Sequence, residues 1–190
     1  YSGIRLEVLE RLVLYINERI HPVIPQQGSL GASGDLAPLS HLALTIVGEG
    51  EVFYNSDRRL TAEVLQERGI TPLDLQAKEG LALINGTQAL TAVGLITLYD
   101  ALQLADIADI NLAMTLSALR GVKDAFDEKI AQVRPYPGHQ TSSRHIRTLL
   151  EGNSFVTSQN ELRVQDAYSL RCASQVHGAS RDAFSHIKQQ

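Results

Sequence analysis

The segment Gly28-Ser29-Leu30-Gly31-Ala32-Ser33-Gly34-Asp35 gathers the residues with the most chemical latitude in the chain. Three readings of it stand side by side. A glycine-rich stretch ahead of a helix is ordinarily a capped loop, with Asp35 as the N-cap and Pro38 in the first turn. Helix N-termini also bind anions, but this loop has no Gly-Lys-Ser/Thr ending and no strand before it, which argues against a phosphate cradle. The third reading is cyclisation of Ala32-Ser33-Gly34. An amide nitrogen is normally a poor nucleophile because its lone pair is delocalised. A loop that compresses the tripeptide brings the Gly34 nitrogen towards the Ala32 carbonyl carbon, and the small residues at 32 and 34 leave room for that approach. Loss of one water closes a five-membered ring. Loss of the Ser33 hydroxyl as a second water leaves an exocyclic methylene, an electrophile made from the chain itself. Backbone strain and a helix N-terminus would favour its formation and activate it. The tripeptide alone does not decide among the three.

Other polar residues have ordinary readings when taken singly. Asn85 reads as a helix N-cap, Arg171 as half of a surface ion pair, and Tyr168 as a half-buried core residue. His41 lies in a helix with no second histidine or acid at ligand spacing, and His139 and His145 do not share a helix face, so no metal is expected. Cys172 reads as a small buried hydrophobe. As the single cysteine it cannot form an internal disulfide, which fits a reducing cytoplasm. The charges around Arg181-Asp182 look like a solvated face.

The elements that must position these residues read as helices. Ile4, Leu6, Leu9, Leu12, Val13 and Ile16 recur at helical spacing and predict a helix over 2–18. Two prolines in 21–27 end it, and a second helix follows Asp35 until Gly48. Residues 51–54 and 58–60 around Asn55-Ser56-Asp57 read as a small β-hairpin, the one strand signal in the chain. Thr61 is expected to cap a short helix closed by Gly69, and Thr71-Pro72 to open another reaching Leu83. Residues 87–119 hold no proline, and their apolar residues surround most of the circumference, which predicts one very long helix buried in a large bundle, covered by more protein than this chain contains and so with its faces exposed in this chain alone. Further helices are expected over 124–133 and 141–150, then a polar loop over 152–163 and a last helix starting within 165–174.

Composition narrows the class. The 190 residues are 44% hydrophobic, 20% charged and 5% aromatic, without tryptophan, and carry a net charge of −4. That profile leans helical and gives no support for nucleic-acid binding. Charges interrupt the apolar stretches, so no membrane span is expected. No signal peptide is expected from the opening residues. The absence of βα alternation excludes a nucleotide-binding sheet. Both ends run into helical pattern without caps, so the chain is expected to be a single partial domain, 1–190, of a longer protein.

Three ordered motifs carry a family resemblance. Residues 28–39 resemble the signature of the histidine and phenylalanine ammonia-lyases. Leu83-Ile84-Asn85-Gly86-Thr87-Gln88 resembles the Asn-Gly-Thr segment at the head of that family's central helix. Gln165-Asp166-Ala167-Tyr168-Ser169-Leu170-Arg171-Cys172 resembles its Gln-Asp-x-Tyr-Ser-x-Arg-Cys segment. The resemblance implies an all-α, long-helix bundle of the ammonia-lyase/fumarase-like type. It implies that Ala32, Ser33 and Gly34 become 4-methylidene-imidazol-5-one (MIO), with Asp35 assisting and no metal involved. Asn85 would bond the ring or the substrate amine, Gln165 would position its neighbours, Tyr168 would be a proton-handling phenol, and Arg171 would pair with the substrate carboxylate. The implied reaction eliminates ammonia from an aromatic L-amino acid, L-histidine first; Ser-Leu-Arg-Cys at 169–172 resembles the histidine or tyrosine lyases more than the plant phenylalanine lyases. A tyrosine or phenylalanine lyase, an aminomutase, or a catalytically inert helical fragment remain alternatives. A homotetramer is implied, with a catalytic tyrosine upstream and a glutamate downstream, so the chain by itself is expected to be inactive and Ala32-Ser33-Gly34 largely uncyclised.

Overall fold

The structure is a computed structural model that describes residues 2–190. It is mostly helical with a small sheet, and it divides into two compact units, residues 1–94 and 95–190.

In the first unit, α1 (Leu6–Asn17) is followed by β1 (His21–Pro22), α2 (Leu36–Ile46), β2 (Glu51–Tyr54), β3 (Asp57–Leu60), α3 (Thr61–Glu67) and α4 (Glu79–Ile84). The hairpin forms as the turn residues require: Asn55 and Ser56 both adopt positive φ, 52° and 70°, which matches the twist of a two-residue connection between Tyr54 and Asp57. Glu51 and Arg58 pair across it. The hairpin is part of a three-stranded sheet, because His21 and Pro22 pair antiparallel with Phe53 and Val52. A two-residue strand is too short to alternate, and its proline belongs on an edge, so periodicity could not show it.

Two buried clusters hold this unit. Tyr15, Ile20, Val52, Tyr54, Val64 and Leu65 join the sheet to α1 and α3. Val8, Ala43, Ile46, Leu73 and Leu83 join α1, α2 and α4. The helix expected from Thr71 to Leu83 forms only in its second half, as α4. Residues 71–76 run without helix, the Leu73 amide donates to Ile46 O, and α4 begins only after Lys78 at φ 74°. Burial of Leu73 in the second cluster outweighs the local helix-start signal. Thr61 also departs from expectation: it lies inside α3, Leu60 is the cap residue, and the Thr61 hydroxyl is buried without a partner.

The long helix α5 (Gln88–Leu119) forms as one uninterrupted run, as its proline-free sequence predicts. Its apolar circumference is largely open, as expected of a helix whose cover is more protein than this chain contains. Leu90, Val93, Leu95, Ile96 and Tyr99 are each more than three-fifths exposed, and burial is confined to Ala105, Asp109, Leu112, Ala113 and Leu116. Periodicity reports what a helix can bury, not what covers it. By length and mean hydropathy alone, the run is also apolar enough to span a bilayer, so composition by itself does not carry the expected exclusion. In its C-terminal half the buried Asp109, paired with Arg181, argues against hydrocarbon there.

In the second unit a 3-10 turn (Lys123–Phe126) precedes α6 (Glu128–Val133), α7 (Pro137–Leu149), α8 (Tyr168–Arg171) and α9 (Ala173–Gln189). The single helix expected over 124–133 is split at Asp127, whose carboxylate caps α6 by accepting from the Lys129 amide. Helix α7 begins four residues earlier than expected, with Pro137 at its first position. Its exposed donor at Gly138 is taken by Asp182 Oδ1, 2.7 Å away on α9. Gly138 and Gly178 touch where α7 and α9 cross, and a Cβ on either would collide with the other helix's backbone. Leu112, Leu116, Phe126, Ile146, Leu150 and Val156 form the core.

Arg181 and Asp182 are therefore not a solvated face. Asp109, fully buried on α5, has Arg181 Nη2 at 2.6 Å, His177 Nδ1 at 2.8 Å and His145 Nδ1 at 3.1 Å. Arg181 Nε also donates to Ser142 Oγ, and its Nη2 to Ala105 O and Asp106. One carboxylate thus ties α5, α7 and α9 together. Removing one partner of such a pair leaves the other buried and unpaired. Asp109→Asn is expected to lower the unfolding free energy by about 3–5 kcal/mol in urea denaturation. A loss under about 1 kcal/mol would place the cluster with exposed ion pairs instead.

Candidate active site

Helix α4 ends at Ile84, and Asn85 is its C-terminal cap rather than an N-cap: the Asn85 amide donates to Leu81 O. At the next residue, Gly86, the Gln88 side-chain amide folds back over the space a Cβ would take. Into this corner comes the glycine-rich loop. Gly34 adopts φ +89°, a region that L side chains rarely enter, and a Cβ there would collide with Gly86 O. The Ser33 hydroxyl faces the Asn85 side chain and donates to Oδ1 over 3.3 Å. Asp35 stands at the head of α2 but does not cap it with its side chain. Its carboxylate turns back over the loop, accepts from Ser29 Oγ at 3.0 Å, and lies 3.2 Å from where a Cβ on Gly31 would be. Ala32 and Ser33 are exposed, Gly34 and Asp35 half-buried. The loop's small residues are thus needed at Gly34 and Gly31 for backbone and carboxylate approach.

The helix that Asn85 caps begins at Glu79, and Leu83 and Ile84 seat it in the core. The Glu79 carboxylate is buried and accepts from the Arg5 amide at 3.0 Å, from Arg5 Nε at 2.8 Å and Nη2 at 2.9 Å, and from the Gln76 amide at 2.7 Å. The Arg5 guanidinium foremost, then the Gln76 amide, lower its pKa from 4.5 to about 2. Nothing in the local sequence marks Glu79; only its long-range pairing with Arg5 does.

In the second unit, Gln165, Arg171 and Cys172 line one cavity of about 290 Å³ together with Val122, Asp166 and Gln175, a size at the small end of ligand pockets. Tyr168 is 70% exposed, and the Arg171 guanidinium carbon lies 5.0 Å from its ring centroid, within cation–π range. Arg171 has no carboxylate partner among the described residues, and its Nε is buried without a hydrogen bond. The reading of Arg171 as half of a surface ion pair therefore fails. Sequence reasoning named Gln165, Tyr168 and Arg171 but passed over Asp166, which is 5% exposed and fully bonded. A carboxylate's burial is not visible in its own segment. The structure brings Ser33 to Asn85 in one unit, and Gln165, Tyr168 and Arg171 together in the other.

With the geometry in place, the comparisons with known proteins identify the class. Residues 1–190 match the family model for aromatic amino acid lyases; the chain belongs to that family. It is 56% identical over 190 residues to the histidine ammonia-lyase of Geobacillus sp. (strain WCH70), covering all of this chain and 37% of that protein. Among solved structures it is similar to the tyrosine aminomutase of Streptomyces globisporus, with 40% identity, TM-score 0.86, and 97% of this chain on 38% of that one. It is also similar to the histidine ammonia-lyase of Trypanosoma cruzi, with 43% identity, TM-score 0.80, and 96% on 33%. The chain thus spans little more than a third of the length of these relatives.

Two predictions follow the geometry. Gly34→Ala puts a Cβ both into a strained backbone and against Gly86 O. It is expected to lower stability by at least about 1 kcal/mol and to raise hydrogen exchange around residues 31–36 and 85–87. Unchanged exchange there would show that the contact imposes nothing. For Glu79 the folded-state pKa lies below the unfolded value, so its contribution is complete above pH 4.5 and lost as pH falls through about 2. Acid unfolding of the chain should show this rise in stability between about pH 2 and 4.5, and Glu79→Gln should remove it.

Proposed function

We propose that this chain supplies the electrophile-bearing loop and the carboxylate-binding arginine of an ammonia-lyase that acts on an aromatic L-amino acid, L-histidine first. The observation that carries this is the Gly34 backbone at φ +89° pressed on Gly86 O, with Ser33 Oγ on Asn85. A chain folded on itself at Ala32-Ser33-Gly34, with space for nothing larger than glycine at 34, fits the residues that MIO requires. When formed, MIO supplies an electrophilic methylene that makes the amino group of the substrate a better leaving group. The identity of 50–56% to several histidine ammonia-lyases favours histidine over tyrosine or phenylalanine.

The chain's own residues have these roles. Asn85 receives the Ser33 hydroxyl on Oδ1 and keeps its amide N–H donors for the ring or the substrate amine. Asp35, held by Ser29 beside the tripeptide, accepts a proton during ring closure. Arg171 presents an unpaired guanidinium beside a small cavity, where a planar fork matches the substrate carboxylate. Tyr168, stacked under that guanidinium, supplies a phenol that handles a proton or stabilises charge, and Gln165 orients the ligand from the cavity wall. The product from histidine is urocanate. The same reading carries a cytoplasmic homotetramer, supported by the open apolar face of α5. The likeness to a tyrosine aminomutase keeps that activity as the second reading; it would return ammonia to the neighbouring carbon and release a β-amino acid.

The test uses the full-length protein. Intact mass should fall short of the encoded mass by two waters, and Ser33→Ala should restore the full mass and abolish urocanate formation. Arg171→Lys should lose about 2–4 kcal/mol in kcat/KM, because a point charge does not replace a two-pronged contact. Full mass in the parent, or unchanged kinetics in the lysine variant, would overturn the respective assignment; a β-amino acid product would favour the aminomutase.

A further inference from the structure

Arg171 sits on α8, a helix of four residues without a side-chain cap. A single turn has no stability of its own, and the preceding residues 158–167 form no helix or strand. The Ala167 carbonyl accepts from the Leu170 and Arg171 amides, which shapes the turn but does not place it. On its C-terminal side the turn runs through Cys172 directly into α9; on its N-terminal side its position comes from tertiary ties. One is Leu170, packed against the core cluster. The other is Asp166, two residues before the turn begins.

The Asp166 carboxylate, with its side chain 2% exposed, reaches across to the end of the long helix. Oδ2 accepts from the Val122 amide at 2.5 Å, and Oδ1 accepts from Arg163 Nη1 at 2.6 Å. Arg163 Nη2 in turn donates to Leu119 O, an open carbonyl at the C-terminus of α5. Gly121 makes this possible: a Cβ there would stand 3.0 Å from Asp166 Oδ2 and collide with the Leu116 side chain. The receiving backbone is itself braced, since the Thr157 amide donates to Gly121 O and the Lys123 amide to Thr157 O. Asp166 and Arg171 line the same cavity. With Asp166 engaged by Arg163 and Val122, Arg171 is left without a carboxylate among the described residues.

We propose that Asp166 is a positioning residue for the carboxylate end of the substrate: it anchors α8 to the stop of α5, and its engagement by Arg163 keeps Arg171 free for an incoming carboxylate. This rests on the reading of Arg171 given above. Leu170 sets how deep the turn packs; Asp166 sets where along the α5 terminus it lies. Loss of the Asp166 tie therefore shifts Arg171 without removing it, and it also leaves Arg163 seeking another partner.

The experiment compares ligands with and without a carboxylate in the full-length protein. KM for L-histidine, and the inhibition constants of urocanate and of histamine, are measured for the parent, Asp166→Asn, Arg171→Ala and the double variant. Asp166→Asn should raise KM and the urocanate constant by about 10- to 100-fold, as a displaced binding group does, with histamine inhibition and the two-water mass deficit unchanged. The double variant should be no worse than Arg171→Ala alone, because both act through one contact. Equal weakening of urocanate and histamine, a fall in kcat at unchanged KM, or additive losses would overturn the proposal and leave Asp166 as a structural tie. Urocanate affinity unaffected by Arg171→Ala would overturn the reading of Arg171 itself. If Asp166→Asn does not fold, Arg163→Met keeps the main-chain bond and frees one carboxylate oxygen; it should give the same selective loss, and equal loss for both ligands would again overturn the proposal.

Discussion

A carboxylate taken out of water costs several kcal/mol unless donors surround it, and this fold removes Asp109 from water completely. The side chain sits on an otherwise apolar helix, so the donors must come from elsewhere: His145 from α7, and His177 and Arg181 from α9. Those helices are thereby held to particular faces of α5 and to particular registers. Apolar contact alone is non-directional and would tolerate sliding. The Gly138–Gly178 crossing, with Asp182 on the first turn of α7, fixes the same pair of helices at a second point.

The same constraint recurs wherever the chain places a candidate functional group. Glu79 is buried on four donors, two amides and the Arg5 guanidinium among them, and the helix it begins ends in Asn85 and Gly86. Asp166 is buried on a main-chain amide and Arg163, and the turn that follows carries Tyr168 and Arg171. In both cases a short helix with little intrinsic stability has one saturated carboxylate near its N-terminus. Arg171 is the opposite: a half-buried cation left without an anion among the described residues. An unpaired guanidinium beside a small cavity is a costly arrangement that a ligand's carboxylate would relieve.

The long helix was legible from the sequence because its signal is local and repeated: thirty-two residues without proline leave helix as the only regular choice. The hairpin was legible for a similar reason, since Asn55-Ser56 accept positive φ. The loop at 28–35 was legible as unusual backbone because its glycines permit conformations and contacts that other residues resist, as Gly34 does at φ +89° against Gly86 O. Residue types and short spacings thus determined the helical class, the electrophile candidate and the motif around Arg171.

Tertiary structure decided what depends on partners distant in the chain. The absence of helix after Pro72 follows from Leu73 entering a core built by Val8, Ala43 and Ile46. The conversion of Arg181-Asp182 from a supposed solvated face to a buried junction follows from Asp109, more than seventy residues earlier. Asp35 as loop brace rather than side-chain cap, Asp166 as anchor, and Glu79 as the buried start of α4 are all settled by where a carboxylate finds its donors. Burial and pairing belong to contacts between segments, and a carboxylate's own neighbours in sequence carry no record of them.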